Sequence, residues 1–142
     1  GAKVIYYSAS GAPAQEGYEQ VDFETLLTQS DIISVHAPLN EHTEGLINSK
    51  AFEKMKSSCI FLNLGRGPIV DEQALYNALV KNQIAAAGLD VLCKEPMSAD
   101  NPLLKIKDSK RLLITPHIAW ASVEARTHLM EIIHKQVKDF FA

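Results

Sequence analysis

Short apolar runs alternate with segments of helical period along this chain. The runs are Lys3-Val4-Ile5-Tyr6-Tyr7, Ile32-Ile33-Ser34-Val35-His36, Cys59-Ile60-Phe61-Leu62-Asn63, Ile84 to Val91, and Leu112-Leu113-Ile114-Thr115. Near-continuous apolar runs of this length suit strands buried on both faces, as in a parallel sheet. Helical periods fall between them. Phe23, Leu26 and Leu27 follow Asp22; Ala51, Phe52 and Met55 follow Asn48; Ala74, Leu75, Ala78 and Leu79 follow Asp71 and the first-turn acid Glu72. Asp and Asn at these places can accept the N–H groups that a first helical turn leaves unpaired. A longer helix is expected from Ser122, with the stripe Ala125, Leu129, Ile132, Ile133, Val137 and Phe140. Core packing is the simplest assignment for that stripe, and any uncovered part would promote self-association. Strand and helix in alternation predict βαβ units in a doubly wound α/β sheet. The stretch Lys94 to Asn101 reads as an ordered loop.

Composition adds exclusions. The chain has 142 residues, 46% hydrophobic and 22% charged, with a formal net charge of -3. That suits one globular domain. With no long basic run, nucleic acid is not expected as a partner, and the apolar runs are too short to cross a membrane. The two cysteines, Cys59 and Cys93, lack metal-ligand spacing and read as small apolar residues in a reducing cytoplasm. His36 and His42 lack an HExxH arrangement, and His128 and His134 stand six apart on the last helix, so no metal site is expected.

In doubly wound sheets ligands bind outside the carboxyl ends of the strands. Those ends are Ser8-Ala9-Ser10, His36-Ala37-Pro38, Leu64-Gly65-Arg66-Gly67, Asp90 to Glu95, and Pro116-His117. Arg66 between two glycines can grip a carboxylate in a bidentate fork; a surface arginine in a tight turn is the other reading. Asp90 and Glu95 put two carboxylates near one strand end, and solvated loop acids are the alternative. His117 with a carboxylate partner would make an acid-base pair suited to neutral pH. Spacing alone does not show that Glu95 and His117 touch.

Taken together, these segments resemble the D-isomer-specific 2-hydroxyacid dehydrogenases. The resemblance rests on Ser30-Asp31-Ile32-Ile33-Ser34-Val35-His36-Ala37-Pro38-Leu39 with Thr43 and Gly45-Leu46-Ile47-Asn48, and on Asn63-Leu64-Gly65-Arg66-Gly67 with Val70-Asp71-Glu72. Gly88-Leu89-Asp90-Val91 with Glu95-Pro96, and Thr115-Pro116-His117-Ile118-Ala119, complete it. It implies a Rossmann-like fold and hydride transfer between NAD or NADP and C2 of a small 2-hydroxy or 2-oxo acid. Arg66 would hold the substrate carboxylate and carbonyl, His117 would pass the proton at the C2 oxygen, and Glu95 would hold His117 and favour its charged form. Asp90 would contact the nicotinamide end. Ala37, Pro38, Leu64 and Gly65 would line the cofactor with Arg66 and His117, and Trp120 is either core or a border of the nicotinamide pocket. Trp120-Ala121-Ser122 with Glu124-Ala125-Arg126 resembles the glycerate or hydroxypyruvate branch. A cytoplasmic, homodimeric parent protein is also implied.

The chain departs from the family in four places. It holds no GxGxxG, the loop that cradles a pyrophosphate on backbone N–H groups. It has no counterpart of the family's substrate domain. Residues 1–142 are therefore expected to be the C-terminal part of a dinucleotide-binding domain, inactive alone. Ser8 stands where NAD-specific members carry an acid, yet no arginine or lysine lies between Lys3 and Lys50 to hold a 2′-phosphate. NAD is weakly preferred over NADP on that basis. Gly65 replaces a more usual Ala or Ser. A second function shares the fold: a dinucleotide-sensing corepressor, which would assemble with cofactor and turn over little.

Overall fold

The computed structural model describes residues 1–141. Among these residues six strands and four α-helices follow in the order β1 (Ile5–Tyr6), β2 (Glu19–Gln20), α1 (Phe23–Gln29), β3 (Ile32–Val35), α2 (Ser49–Lys54) and β4 (Ile60–Asn63). Then come α3 (Glu72–Val80), β5 (Ala86–Leu89), β6 (Leu112–Ile114) and α4 (Val123–Phe140). All four helices start where the sequence places a cap. Asp22 accepts the Thr25 N–H at 2.8 Å, Asn48 that of Lys50 at 3.0 Å, Asp71 that of Ala74 at 2.9 Å, and Ser122 that of Ala125 at 3.1 Å.

Strands β3, β4, β5 and β6 form one parallel sheet in that order, with Ile33 opposite Phe61, Phe61 opposite Ala87, and Ala87 opposite Leu112. The small residues of β5 leave room for Phe61, which is fully buried and meets Phe52 of α2 edge-on at 5.5 Å. Leu27 of α1 and Leu75, Ala78 and Leu79 of α3 complete this side of the core. Each such large side chain contributes about 2 kcal/mol through removal from water.

Four expectations need correction. The first strand is Ile5–Tyr6 alone, and it pairs in parallel with Glu19–Gln20, a strand the polar sequence there did not suggest. The fourth run starts pairing only at Ala86. The strands are not buried on both faces: Ile33 and Phe61 face the core, while Ile32 and Leu113 are each 61% exposed. Likewise no residue of α4 is buried, so its stripe does not pack into this core. The apolar runs reported burial on one side and an uncovered apolar surface on the other; hydrophobicity alone does not tell these apart.

Candidate active site

Parallel strands deliver their carboxyl ends to one edge. Along that edge stand His36-Ala37-Pro38 after β3, Leu64-Gly65-Arg66 after β4, Asp90 after β5 and Thr115-Pro116-His117 after β6. The strand bearing Arg66 lies two places from that bearing His117, a backbone separation of about 10 Å, and among the described residues no hydrogen bond or ion pair joins the two side chains.

The structure brings Glu95 and His117 together. Glu95 Oε2 lies 2.8 Å from His117 Nδ1, and Glu95 Oε1 accepts the Leu92 N–H at 2.9 Å. The histidine beside it, then the Leu92 N–H, hold the Glu95 carboxyl below its ordinary range despite some burial and the nearby Asp90 charge. With Nδ1 engaged, Nε2 of His117 has no hydrogen-bond partner among the described residues. His117, Glu95, Asp90, Leu92, Met97 and Ile114 help line one cavity of about 550 Å³. Its size suits a small-molecule site.

His117 has φ +56°, a left-handed conformation uncommon outside glycine. Asp90 holds it there. Its Oδ1 accepts the Thr115 hydroxyl at 2.6 Å and the Ile118 N–H at 2.8 Å, and its Oδ2 accepts the Ala119 N–H at 2.8 Å. Both oxygens of Asp90 are thus committed to the turn that presents His117. Strain of this kind persists only where surrounding bonds fix it, and it clusters at functional sites.

Arg66 is exposed, with Nη1 on the Gly65 carbonyl at 2.8 Å. Its turn is set by the buried Asn63, whose Nδ2 donates to the Arg66 carbonyl at 3.0 Å and whose Oδ1 accepts the Gly65 N–H at 3.1 Å. Gly67 then brings the Arg66 turn against the Glu95 loop: a Cβ there would fall 2.0 Å from the Leu92 carbonyl carbon. Only glycine permits that approach.

A second cavity of about 480 Å³ lies between the ends of β1 and β3 and includes Ser8, Ser10, His36, Ala37 and Pro38. Among the described residues no Asp, Glu, Lys or Arg lines it. Thr43, 1% exposed, shapes its rim by donating to the Pro38 carbonyl at 2.6 Å and accepting the Asn40 N–H at 2.9 Å. Gly65 packs against the β3 end of this cavity, since a Cβ on it would meet the Ala37 carbonyl at 2.9 Å, and the Leu64 N–H donates to Val35. Trp120 lines neither cavity: it is 60% exposed, and its Nε1 donates to the His117 carbonyl at 2.9 Å. Asn63 and Thr43 escaped sequence reasoning. Asn63 carries a signal, polarity at the end of an apolar run where a buried amide must find backbone partners, whereas Thr43 stands among polar residues and carries none.

Comparison with known proteins agrees with this layout. Residues 1–119 match the family model described as "D-isomer specific 2-hydroxyacid dehydrogenase, NAD binding domain". The hydroxypyruvate reductase of Blautia hydrogenotrophica is 45% identical over 142 residues, covering 99% of this chain and 43% of that protein. The glyoxylate reductase of Thermococcus litoralis is 43% identical over 143 residues, covering 99% of this chain and 42% of that protein. Among solved structures, an acyclic imino acid reductase in complex with NADPH and D-Arg superposes with a TM-score of 0.84 at 37% identity. That match covers 98% of this chain and 43% of the other. The chain thus spans less than half the length of the relatives it matches, and it belongs to the D-isomer specific 2-hydroxyacid dehydrogenase family, within its NAD-binding domain.

Proposed function

We propose that the protein containing this chain reduces a small 2-oxo acid of the hydroxypyruvate or glyoxylate type with a nicotinamide dinucleotide, and that residues 1–142 are the C-terminal part of its dinucleotide-binding domain. The observation that carries the reading is the Glu95–His117 contact at 2.8 Å, which leaves Nε2 uncommitted beside a cavity. A proton donor at that place lowers the barrier for a carbonyl oxygen gaining charge. The nicotinamide, when bound, supplies the hydride that C2 accepts. His117 gives the proton to the C2 oxygen, Glu95 stabilises the charged imidazole, and Arg66 holds the substrate carboxylate. Asp90 fixes the turn that presents His117 and would stand near the nicotinamide end.

The second cavity suits the adenosine half. Its hydroxyls, aromatic rings and backbone groups match a base and an uncharged ribose, and it lacks a lysine or arginine for a 2′-phosphate. Ser8 is the candidate ribose contact, Ala37 and Pro38 line the same cavity, Leu64 and Gly65 at the next strand end are further candidate cofactor contacts, and Trp120 caps the His117 turn. NAD is therefore expected to serve better than NADP. A soluble, cytoplasmic homodimer is the corresponding assembly.

The test uses the full-length protein with hydroxypyruvate, glyoxylate and a 2-imino acid as substrates and NADH or NADPH as donor. His117→Ala is expected to lower kcat about a hundredfold or more while leaving dinucleotide affinity near wild type. Unchanged turnover would remove His117 from the chemistry. Dinucleotide-driven assembly with negligible reduction would point instead to a sensor.

A further inference from the structure

Glu72 opens α3 as an ordinary first-turn acid, yet both of its oxygens are used elsewhere. Oε1 accepts the Cys93 N–H at 2.9 Å, and Oε2 accepts Nδ2 of Asn101 at 2.8 Å. These partners lie 21 and 29 residues further along the chain. They mark the two ends of the loop that carries Glu95. A first-turn acid that serves only the helix dipole needs no such partners.

The surrounding contacts make the arrangement specific. Asn101 is buried, and its Oδ1 accepts the Leu103 N–H at 2.9 Å, so its amide nitrogen is the end left for Glu72. Cys93 Sγ lies 3.6 Å from the Val70 carbonyl, close to the start of α3. Burial of that sulfur and the neighbouring Glu72 charge push the thiol up to about 11. Inside the anchored loop, Glu95 takes the Leu92 N–H and reaches His117. The Arg66 turn rests on the same Leu92–Cys93 backbone at Gly67.

We propose that Glu72 is a positioning residue: by clasping the Cys93 N–H and the Asn101 amide together, it holds the Glu95 carboxylate on His117 and beside the Arg66 turn. The proposal rests on the reductase reading of that site. It assigns to an acid at the start of a helix the task of fixing an acid-base pair on the next strand-end loop.

Three variants of the full-length protein test it. Glu72→Gln keeps an acceptor for Cys93 but turns an amide NH2 toward that of Asn101. Asn101→Asp keeps the Leu103 cap but sets a carboxylate against Glu72. Combining Glu72→Gln with Asn101→Asp keeps the Cys93 bond and restores the bond between residues 72 and 101 with donor and acceptor exchanged. Each single variant is expected to lower kcat about tenfold to a hundredfold, with the KM for dinucleotide within about twofold of wild type. The double variant is expected to recover to within about threefold. Gln73→Ala, an exposed neighbour on α3, serves as the control.

Titration of the Glu95 carboxyl by NMR supplies a readout independent of turnover. It is expected to move up toward the ordinary range in each single variant and return in the double. A merely structural role would lower the melting temperature without moving that titration. Single variants with wild-type kcat or a wild-type Glu95 titration overturn the proposal, as does a double variant no better than the worse single. Wild-type protein inactive on every substrate would overturn the reductase reading, while the Glu95 titration would still decide the clasp.

Discussion

Asp90 is 3% exposed and accepts three hydrogen bonds from the turn that carries His117. Burial works against its charge, but the Thr115 hydroxyl and the Ala119 and Ile118 N–H groups outweigh burial and hold its carboxyl below the usual range. Glu95 is held low as well, by His117 first. A carboxyl with a depressed folded-state pKa stabilises the fold above its unfolded value, and that contribution is lost as pH falls through the folded value. Urea midpoints are therefore expected to hold from neutral pH down to about pH 5 and to fall below about pH 4. Asp90→Asn is expected to cost about 2 kcal/mol at pH 7 and to flatten the acid limb. An unchanged acid limb would mean that other carboxylates govern it. At this scale the sequence was readable where a reactive side chain stands beside glycine or proline near a strand end, and of these the structure brings Glu95 and His117 into contact. Glu72 was not, because its partners Cys93 and Asn101 lie 21 and 29 residues away and it looks like any first-turn acid until the chain is folded.

The helices were legible for a local reason. A cap acts within three residues, so Asp22, Asn48, Asp71 and Ser122 announce helix starts in the sequence itself. Strand β2 depends on pairing with Ile5 and Tyr6, and nothing in Glu19-Gln20 encodes that. Close approach between elements is equally non-local, and two glycines show it. At Gly67 an added methyl would meet the backbone of Leu92 and Cys93 at 2.0 and 2.4 Å. At Gly88 it would meet only the Leu62 Cδ2 atom, at 2.9 Å. Backbone cannot step aside, whereas the end of a leucine can change rotamer. Gly67→Ala is thus expected to cost about 3 kcal/mol and to abolish turnover in the full-length protein by parting the Arg66 turn from the Glu95 loop. Gly88→Ala is expected to stay within about 1 kcal/mol of wild type. Calorimetric unfolding of both variants checks the contrast, and equal costs would show that the two elements are free to separate.

For the whole molecule, the alternation of strand and helix was enough to specify a parallel α/β sheet, and the strand-end rule placed both cavities. The apolar runs did not reveal which surfaces stay open. Helices α1 to α3 pack with the core, while Ile32, Ile60 and Leu113 on the sheet and Leu129, Ile133 and Val137 on α4 remain exposed. Contiguous apolar surface of this kind favours association over a solvated monomer. The chain by itself is expected to bind an apolar dye and to sediment as more than a monomer, increasingly so with concentration. Covering an aliphatic side chain is worth about 2 kcal/mol, and each 1.4 kcal/mol is about tenfold in affinity. Ile32→Lys combined with Leu113→Lys is therefore expected to weaken association about a thousandfold if the sheet is the contact. Leu129→Lys combined with Ile133→Lys does the same if α4 is the contact, and the core remains intact in both because none of these four side chains is buried. A chain that stays monomeric and dark with the dye would show that both surfaces are hydrated in solution.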